Sequence, residues 1–298
     1  MPEEGIEFQT GENLLTAEEI VRIIHILADL GIKKIRLTGG EPLLHEDIIY
    51  LISEAVATPG IESVHLTTNG LLLGKMGASL RQSGLHGINI SLNTLDHEKY
   101  LLIARMDGLE KVLKNLSMVL TMSFPSVKLN VVVMKDFNHT EMGDFVALTK
   151  EDSLAVRFIE LMPFDAQQMW RTNRFISAEK IVENLSRLYP NRVTVKGSTT
   201  EEYLFQIPGY KGKFGVIPAY TRSLCRECNR IRLTADGEIR NCLYSNHEFN
   251  LRKLIRNGST HHEIASLFRQ AMWVKLKDGY EAEQQEGQHR ESMTQIGG

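Results

Sequence analysis

Three cysteines in the last quarter of the chain have a spacing that suits a metal site. Cys225 and Cys228 are separated by two residues, and Cys242 follows after thirteen more. A C-x2-C pair bends two thiolates towards one metal, and the Asp236-Gly237 dipeptide predicts a hairpin whose second arm carries the third thiolate. The chain has 3 cysteines in all, and so sparse and odd a set is not typical of a disulfide framework.

Two metals fit this donor set. Zinc in a structural site takes four ligands, so a histidine such as His247 would have to complete the site. An iron–sulfur cluster normally takes four thiolates, so three would leave one iron open for a substrate. The spacing leaves both metals open, and a third interpretation is a group of buried thiols that bind no metal.

Two arginines follow the second cysteine almost directly, in the run Asn229-Arg230-Ile231-Arg232. On a strand, Arg230 and Arg232 would point to the same face. Two guanidinium groups beside a metal site suit a phosphate or a carboxylate. A solvated basic surface is the alternative interpretation.

Strands and helices alternate over the first two thirds of the chain. A capping box at Thr16 and Glu19 opens the first helix, and Gly31 ends it. Its apolar stripe consists of Ile20, Ile23, Ile24, Leu27 and Leu30. Strands are predicted at 34–38, 63–68, 88–92, 127–133 and 156–161. The later helices are predicted at 46–57, 75–83, 108–121, 139–149 and 177–188.

This alternation implies a parallel α/β sheet, either barrel-like or doubly wound, whose functional edge lies at the carboxyl ends of the strands. The conspicuous residues fall at that edge. They are Gly39-Gly40-Glu41-Pro42, Thr67-Thr68-Asn69-Gly70, Ser91 and Met162-Pro163. After residue 190 the pattern changes to short strands at 192–196, 203–207 and 213–217, helices at 248–256 and 261–273, and a polar loop at 278–292. The predicted domain boundary is near residue 176.

Composition excludes several classes of protein. The 298 residues carry 34 Lys+Arg and 37 Asp+Glu, a net charge of −3, and a dedicated nucleic-acid module would be clearly basic. With 42% hydrophobic and 24% charged residues, the chain has the balance of a globular protein rather than a disordered one. No apolar run approaches the length of a membrane-spanning helix.

The motifs together resemble one enzyme family. The runs 38–42, 157–164 and 225–237, with the terminal Gly297-Gly298, resemble GTP 3′,8-cyclase. This is the radical S-adenosylmethionine (SAM) family of the first step of molybdenum cofactor biosynthesis. The resemblance extends from residue 1 to about 255 and returns at the last two residues. The Gly-Gly-Glu-Pro turn is shared by many radical SAM enzymes, whereas the Cys-x2-Cys-Asn-Arg-x-Arg-Leu-Thr-Ala-Asp-Gly run is highly specific.

The resemblance implies a fold: α/β, a partial (incomplete) TIM-like barrel of the radical SAM type over 1–176. A C-terminal region, 177–298, would carry an auxiliary iron–sulfur cluster and bind GTP. Gly40, Ser91 and Met162 match positions that contact SAM. The positions that match GTP contacts are Arg36, Thr67, Lys128, Arg230, Ile231 and Arg232. Cys225, Cys228 and Cys242 match the ligands of the auxiliary [4Fe–4S] cluster, whose open iron meets the guanine.

The family reaction follows from the same resemblance. A second, N-terminal [4Fe–4S] cluster cleaves SAM to a radical that removes the 3′ hydrogen of GTP. The sugar radical then attacks C8 of guanine and gives 3′,8-cyclo-7,8-dihydro-GTP. The terminal Gly297-Gly298 pair matches a tail that reaches into the active site.

One departure concerns the first cluster. The family holds it with Cys-x3-Cys-x2-Cys followed by Met-Pro, and here Met1-Pro2 opens the chain with no cysteine before Cys225. We therefore expect the first barrel strand and the SAM-cluster ligands to be missing, and the chain as written to be unable to start the radical reaction. Truncation is favoured over true loss. The alternatives are a non-catalytic GTP-binding relic with a zinc or iron–sulfur structural site, and a different radical SAM enzyme with an auxiliary cluster.

Partners and compartment follow from the family. We expect GTP as the small-molecule partner, cyclic pyranopterin monophosphate synthase as the downstream enzyme and a homodimer, with no nucleic acid and no membrane. The segments at 162–165 and 207–210 look more like the eukaryotic branch. That branch favours the mitochondrial matrix, whereas a bacterial protein would be cytoplasmic.

Overall fold

The computed structural model describes residues 11–162, 173–195, 202–221, 225–245 and 249–286. His247, Pro163 and the Gly297-Gly298 tail lie outside the described residues, as does Met1-Pro2. Among the described residues, no helix has both the length and the apolar character to cross a bilayer.

The strands of the described residues include all five predicted in the first two thirds of the chain and the three predicted between 192 and 217. They are β1 (Lys34–Leu37), β2 (Ser63–Thr68), β3 (Gly87–Ser91), β4 (Ser126–Val133), β5 (Leu154–Glu160), β6 (Val193–Thr194), β7 (Tyr203–Gln206), β8 (Lys213–Ile217), β9 (Arg232–Leu233), β10 (Glu238–Arg240) and β11 (Phe249–Asn250).

The helices of the described residues agree with most of the predictions. They are α1 (Ala17–Asp29), α2 (Ile48–Ala57), α3 (Leu73–Gln82), α4 (His97–Ala104), α5 (Leu109–Thr121), α6 (Met142–Ala147), α7 (Ala178–Leu188), α8 (Leu251–Arg256), α9 (His261–Trp273) and α10 (Gly279–Glu286).

The polar loop predicted at 278–292 is wrong over its first part, because α10 occupies Gly279–Glu286. The Asp278 carboxylate accepts hydrogen bonds from the backbone N–H groups of Tyr280 and Glu281, both at 3.0 Å. Ala282 is fully buried. The helix thus has an N-terminal cap and little apolar periodicity, and a search for apolar periodicity does not detect such a helix.

Helix α4 was not predicted either. It begins at the cap Asp96, whose side chain accepts a hydrogen bond from the Lys99 N–H at 2.9 Å, and it ends at Arg105 with a left-handed φ of 57°. Its sequence has no clear apolar stripe, and Tyr100 is its buried residue. Helix α1, in contrast, has the predicted capping box between Thr16 and Glu19.

The chain divides into two compact units. Of the described residues, the first contains 68–77 and those between 87 and 228, and the second contains 11–67, 78–86 and those between 229 and 286. The units are defined by contacts, and each draws on several chain segments. The domain boundary near residue 176 stays a prediction.

The first unit is built on β3, β4, β5 and β8, which pair in parallel in that order. Strands β7 and β6 continue the sheet with antiparallel pairing. Phe145 of α6, Phe158 of β5 and Phe214 of β8 are fully buried, and the Phe145 and Phe158 rings meet edge to face at 6.5 Å. The parallel α/β order predicted from the sequence is confirmed in this sheet.

The second unit contains the parallel pair β1–β2 and the antiparallel sheet β9–β10–β11. Its core includes Ile23 and Ile26 of α1, Ile239 of β10 and Phe268 of α9. The guanidinium of Arg256 donates to the Glu19 carboxylate at 3.0 Å, and this hydrogen bond lowers the pKa of Glu19. Helix α1 is thereby fixed to α8 by a charged contact as well as through the core.

Two glycines of the second unit both have a positive φ, but only one of them is crowded by a neighbouring side chain. Substituting each with alanine therefore separates the cost of backbone strain from the cost of crowding. Gly237, in the β9–β10 hairpin, has a φ of +83°, and a Cβ there would lie 2.7 Å from the Cβ of Arg252. Gly258 has a φ of +78° with open space around it. We expect Gly258→Ala to lower the free energy of unfolding by about 1–2 kcal/mol, because alanine is strained at a positive φ. Gly237→Ala should have the same loss and a further loss of about 1–3 kcal/mol, because the new Cβ overpacks against Arg252. Urea denaturation measures both, and equal losses would mean that Arg252 moves aside without cost.

Candidate functional site

The Gly-Gly-Glu-Pro turn follows β1 directly. Gly39 has a φ of +143°, a conformation that favours glycine. The Glu41 carboxylate accepts a hydrogen bond from the Leu43 N–H at 3.1 Å and caps the short 3₁₀ turn Pro42–Leu44. Gly40 is exposed, and a Cβ there would meet no atom within 4 Å. The turn therefore leaves bare backbone accessible at Gly40, the position predicted to contact SAM.

Arg36 and Thr67 lie on the same face of the β1–β2 pair. Arg36 is in register with His65, and Thr67 lies two residues further along β2. Side chains two residues apart on a strand point to the same face. Both residues are partly buried. The structure thus brings together two of the predicted GTP contacts in the second unit.

Ser91 and Lys128 share one face of the sheet in the first unit. In the β3–β4 register, Asn89 pairs with Lys128 and Ser91 pairs with Asn130. Asn130 in turn pairs with Arg157 of β5. We call these five residues the polar face. It brings a predicted SAM contact and a predicted GTP contact onto one surface.

The centre of the polar face is a buried arginine. Arg157 is 2% exposed, and its guanidinium donates to the side-chain oxygens of Asn130 and Asn89, each at 2.9 Å. Neutral amide oxygens fix the orientation of the guanidinium in these two contacts. Arg157 and Lys128 thus place two cationic side chains on the polar face, and such side chains are the usual partners of anionic groups.

Lys128 is the second cation of the polar face, and its side chain is 23% exposed. Its ammonium nitrogen lies 3.8 Å from a carboxylate oxygen of Glu202, whose side chain is 8% exposed. Gly215 makes room for this carboxylate, because a Cβ there would lie 2.8 Å from the Glu202 Oε2 atom. Glu202 thus holds Lys128 by charge at a distance longer than a direct hydrogen bond.

Sequence reasoning assigned no role to Arg157, Asn89, Asn130 or Glu202. Arg157 lies in one of the family-like runs, and a cation inside the otherwise apolar strand β5 is a usable signal. The two asparagines give no such signal, because their role appears only through the register of three strands. Met162 follows β5 by two residues and is partly buried, and the structure shows no further feature that separates its predicted role from core packing.

The hairpin of β9 and β10 carries Arg232 and leads to Cys242. Arg232 is in register with Arg240, and the preceding Arg230 carbonyl accepts a hydrogen bond from the Lys275 ammonium group at 2.8 Å. Ile231 and both predicted arginines are partly buried. The hairpin signal at Asp236-Gly237 is confirmed.

The three cysteines are partly buried, and none forms a disulfide. Cys225 and Cys228 close a single 3₁₀ turn, in which the Cys228 N–H donates to the Cys225 carbonyl at 3.0 Å. The Cys242 sulfur accepts a hydrogen bond from the Tyr244 N–H at 3.4 Å. A backbone N–H directed at sulfur is the contact that tunes iron–sulfur ligands.

By their chemistry, thiols of this kind suit an iron–sulfur cluster or, with a fourth ligand, zinc. Across the described residues, no group of three or more His, Cys, Asp or Glu side chains is already arranged to hold a metal ion. The identity of the metal and its ligand set therefore stay predictions.

Comparison with protein families shows the class of protein to which this chain belongs. A family model described as the Radical SAM superfamily matches residues 4–149, and one described as Molybdenum Cofactor Synthesis C matches residues 154–281. The predicted radical SAM fold class is thereby confirmed, with its mostly parallel sheet.

Curated relatives narrow the class further. GTP 3′,8-cyclase of Chlorobaculum tepidum is 42% identical over 284 residues, which are 95% of this chain and 86% of the relative. The enzyme of the same name from Alkaliphilus metalliredigens is 39% identical and covers 100% of this chain and 92% of its own. Molybdenum cofactor biosynthesis protein 1 of Dictyostelium discoideum is 37% identical over 92% of this chain, which spans 44% of that longer protein. The chain belongs to the GTP 3′,8-cyclase family, an enzyme family of the radical SAM class.

The Arg157 contacts generate a stability prediction. Asn130→Leu removes one acceptor from a buried charged group, and we expect it to lower the free energy of unfolding by about 1–3 kcal/mol. Asn130→Asp keeps an acceptor at the same place and should lose less. Urea denaturation of both variants measures the difference. Equal losses would show that the contact to Arg157 is not what makes Asn130 important.

Proposed function

We propose that this chain is a GTP 3′,8-cyclase-like protein that binds GTP. The family reaction on that substrate is the SAM-dependent radical conversion to 3′,8-cyclo-7,8-dihydro-GTP in molybdenum cofactor biosynthesis. The observation that carries the proposal is the near full-length similarity to enzymes named GTP 3′,8-cyclase. The cationic polar face supports it, because a triphosphate requires positive charge held in place before binding.

Lys128 of the polar face is the residue that we propose to contact the anionic part of GTP in the first unit. Its side chain is partly exposed, and its ammonium nitrogen lies 3.8 Å from a carboxylate oxygen of Glu202. Arg157 is buried beside it with fixed orientation. In the second unit, the resemblance assigns GTP contacts to Arg36 and Thr67 and to the hairpin residues Arg230, Ile231 and Arg232.

Gly40, Ser91 and Met162 are the residues that we propose for SAM. Each lies at or just beyond the carboxyl end of a parallel strand, respectively β1, β3 and β5. Exposed backbone at Gly40 suits the ammonium and carboxylate groups of an amino acid. Ser91 is exposed at the end of its strand and offers a hydroxyl group.

Cys225, Cys228 and Cys242 are the proposed ligands of an auxiliary [4Fe–4S] cluster. When bound, SAM with its own cluster supplies the radical chemistry, and the auxiliary cluster supplies an iron that can bind the guanine. The chain's own residues bind and orient the nucleotide and exclude water from it. GTP affinity and metal content are therefore the two properties that test this proposal.

The remaining family-based expectations stay predictions. They are delivery of the product to cyclic pyranopterin monophosphate synthase, a homodimer, and a compartment that is the mitochondrial matrix for a eukaryotic protein, which is favoured, and the cytoplasm otherwise.

Lys128→Ala tests the nucleotide site. A charge-assisted hydrogen bond to phosphate contributes about 1.5–3 kcal/mol, so GTP affinity should fall roughly tenfold to a hundredfold. Lys211→Ala is the matched control, because Lys211 is an exposed lysine of the same unit outside the polar face. Anaerobic titration calorimetry measures both. Similar affinities for the two variants would contradict the assignment of Lys128.

Metal analysis tests the cysteine site. After anaerobic reconstitution we expect about four irons and four sulfides per chain, and loss of that iron in the Cys242→Ser variant. About one zinc and no iron would contradict the cluster and favour the alternative, a non-catalytic GTP-binding protein with a structural zinc site.

A further inference from the structure

Glu160, the last residue of β5, is fully buried and accepts four hydrogen bonds. One carboxylate oxygen accepts from the Ala178 N–H at 2.5 Å. The other accepts from the N–H groups of Tyr220 and Thr221, both at 2.8 Å, and from the Thr221 hydroxyl at 3.2 Å. A carboxylate with this many donors is an organising centre rather than a solvated surface charge.

These contacts join three separate parts of the first unit. Glu160 ends β5, Ala178 is the first residue of α7, and Tyr220 and Thr221 belong to the segment that follows β8. The Phe175 ring meets the Tyr220 ring edge to face at 5.1 Å, which fixes the same segment a second time. The segment is thus held at a defined place relative to the end of β5.

The fixed segment leads to the cysteine pair. Thr221 precedes Cys225 by four residues, so an extended chain allows at most about 14 Å between their backbones. Cys225 and Cys228 are in turn locked to each other by their 3₁₀ turn. Anchoring Thr221 therefore restricts where both thiols can lie.

We propose that Glu160 is a positioning residue for the thiols of Cys225 and Cys228, and that it acts through Tyr220 and Thr221. The part of this inference that concerns holding the auxiliary cluster rests on the proposed function. The placement of the thiols is a property of the chain itself and can be measured without metal.

Glu160→Gln is the test variant, with Glu141→Gln as its matched control. In whichever way the new amide is turned, its NH2 group faces an N–H donor and a hydrogen bond is lost. Glu141 is also a buried carboxylate of the first unit, and it accepts from the Thr94 hydroxyl, the Leu95 N–H and the Lys99 ammonium group. These three partners lie in the segment from 94 to 99, remote in the chain from Tyr220 and Thr221. Thr221→Val removes one donor to Glu160 and is the milder second variant.

The readout is the rate at which iodoacetamide alkylates each cysteine of the metal-free full chain, followed by peptide mass spectrometry. In Glu160→Gln we expect alkylation of Cys225 and Cys228 to be about fivefold faster or more, relative to Cys242 in the same sample. Thr221→Val should change the ratio in the same direction by less. Glu141→Gln should lower the melting temperature without changing the ratio.

Unchanged alkylation ratios in both Glu160→Gln and Thr221→Val would overturn the proposal. In the reconstituted protein, Glu160→Gln should also lose its iron to a chelator faster than Glu141→Gln does, and equal rates would overturn the role in holding the cluster. If the unsubstituted chain takes up no iron while the alkylation ratios still differ, the proposed cluster fails and the positioning of the thiols stands.

Discussion

The buried guanidinium of Arg157 constrains the sheet that carries the polar face. A charged group that is 2% exposed needs acceptors in the right places. Those acceptors are Asn130 on the neighbouring strand and Asn89 one strand further. Because a shift of one residue would turn each asparagine to the opposite face, the contacts and the strand register support each other. The positions of Ser91 and Lys128 follow from the same register.

Carboxylates act as organisers on several elements of the first unit. Glu160, at the end of a strand, accepts hydrogen bonds from the start of a helix and from the segment that contains Thr221. Glu141 accepts hydrogen bonds from residues around the start of α4. Such contacts are costly to leave incomplete in a buried setting, so each fixes a local arrangement more firmly than apolar packing alone.

Local signals were sufficient for most elements of the fold. The capping box at Thr16, the glycine at position 31 and the alternating strands are read from neighbouring residues, and the structure confirms them. Helices α4 and α10 were missed because their ends are set by Asp96 and Asp278 while their sequences lack an apolar stripe. For the site, the strand ends at Gly40 and Ser91 were predictable, and the contacts around Arg157 were not.

The sequence by itself determined the order of the strands and helices of the first unit except α4, and the membership of the GTP 3′,8-cyclase family. It also predicts the three thiols as a donor set. These properties are encoded in short runs of residues, such as 225–237, and can be inferred without knowing which distant residues are close in the fold. The tertiary structure alone decided which groups surround Arg157 and Glu160. Asn89 lies 68 residues from Arg157, and Thr221 lies 61 residues from Glu160. Contacts over such separations arise from strand register and packing, which no local pattern specifies.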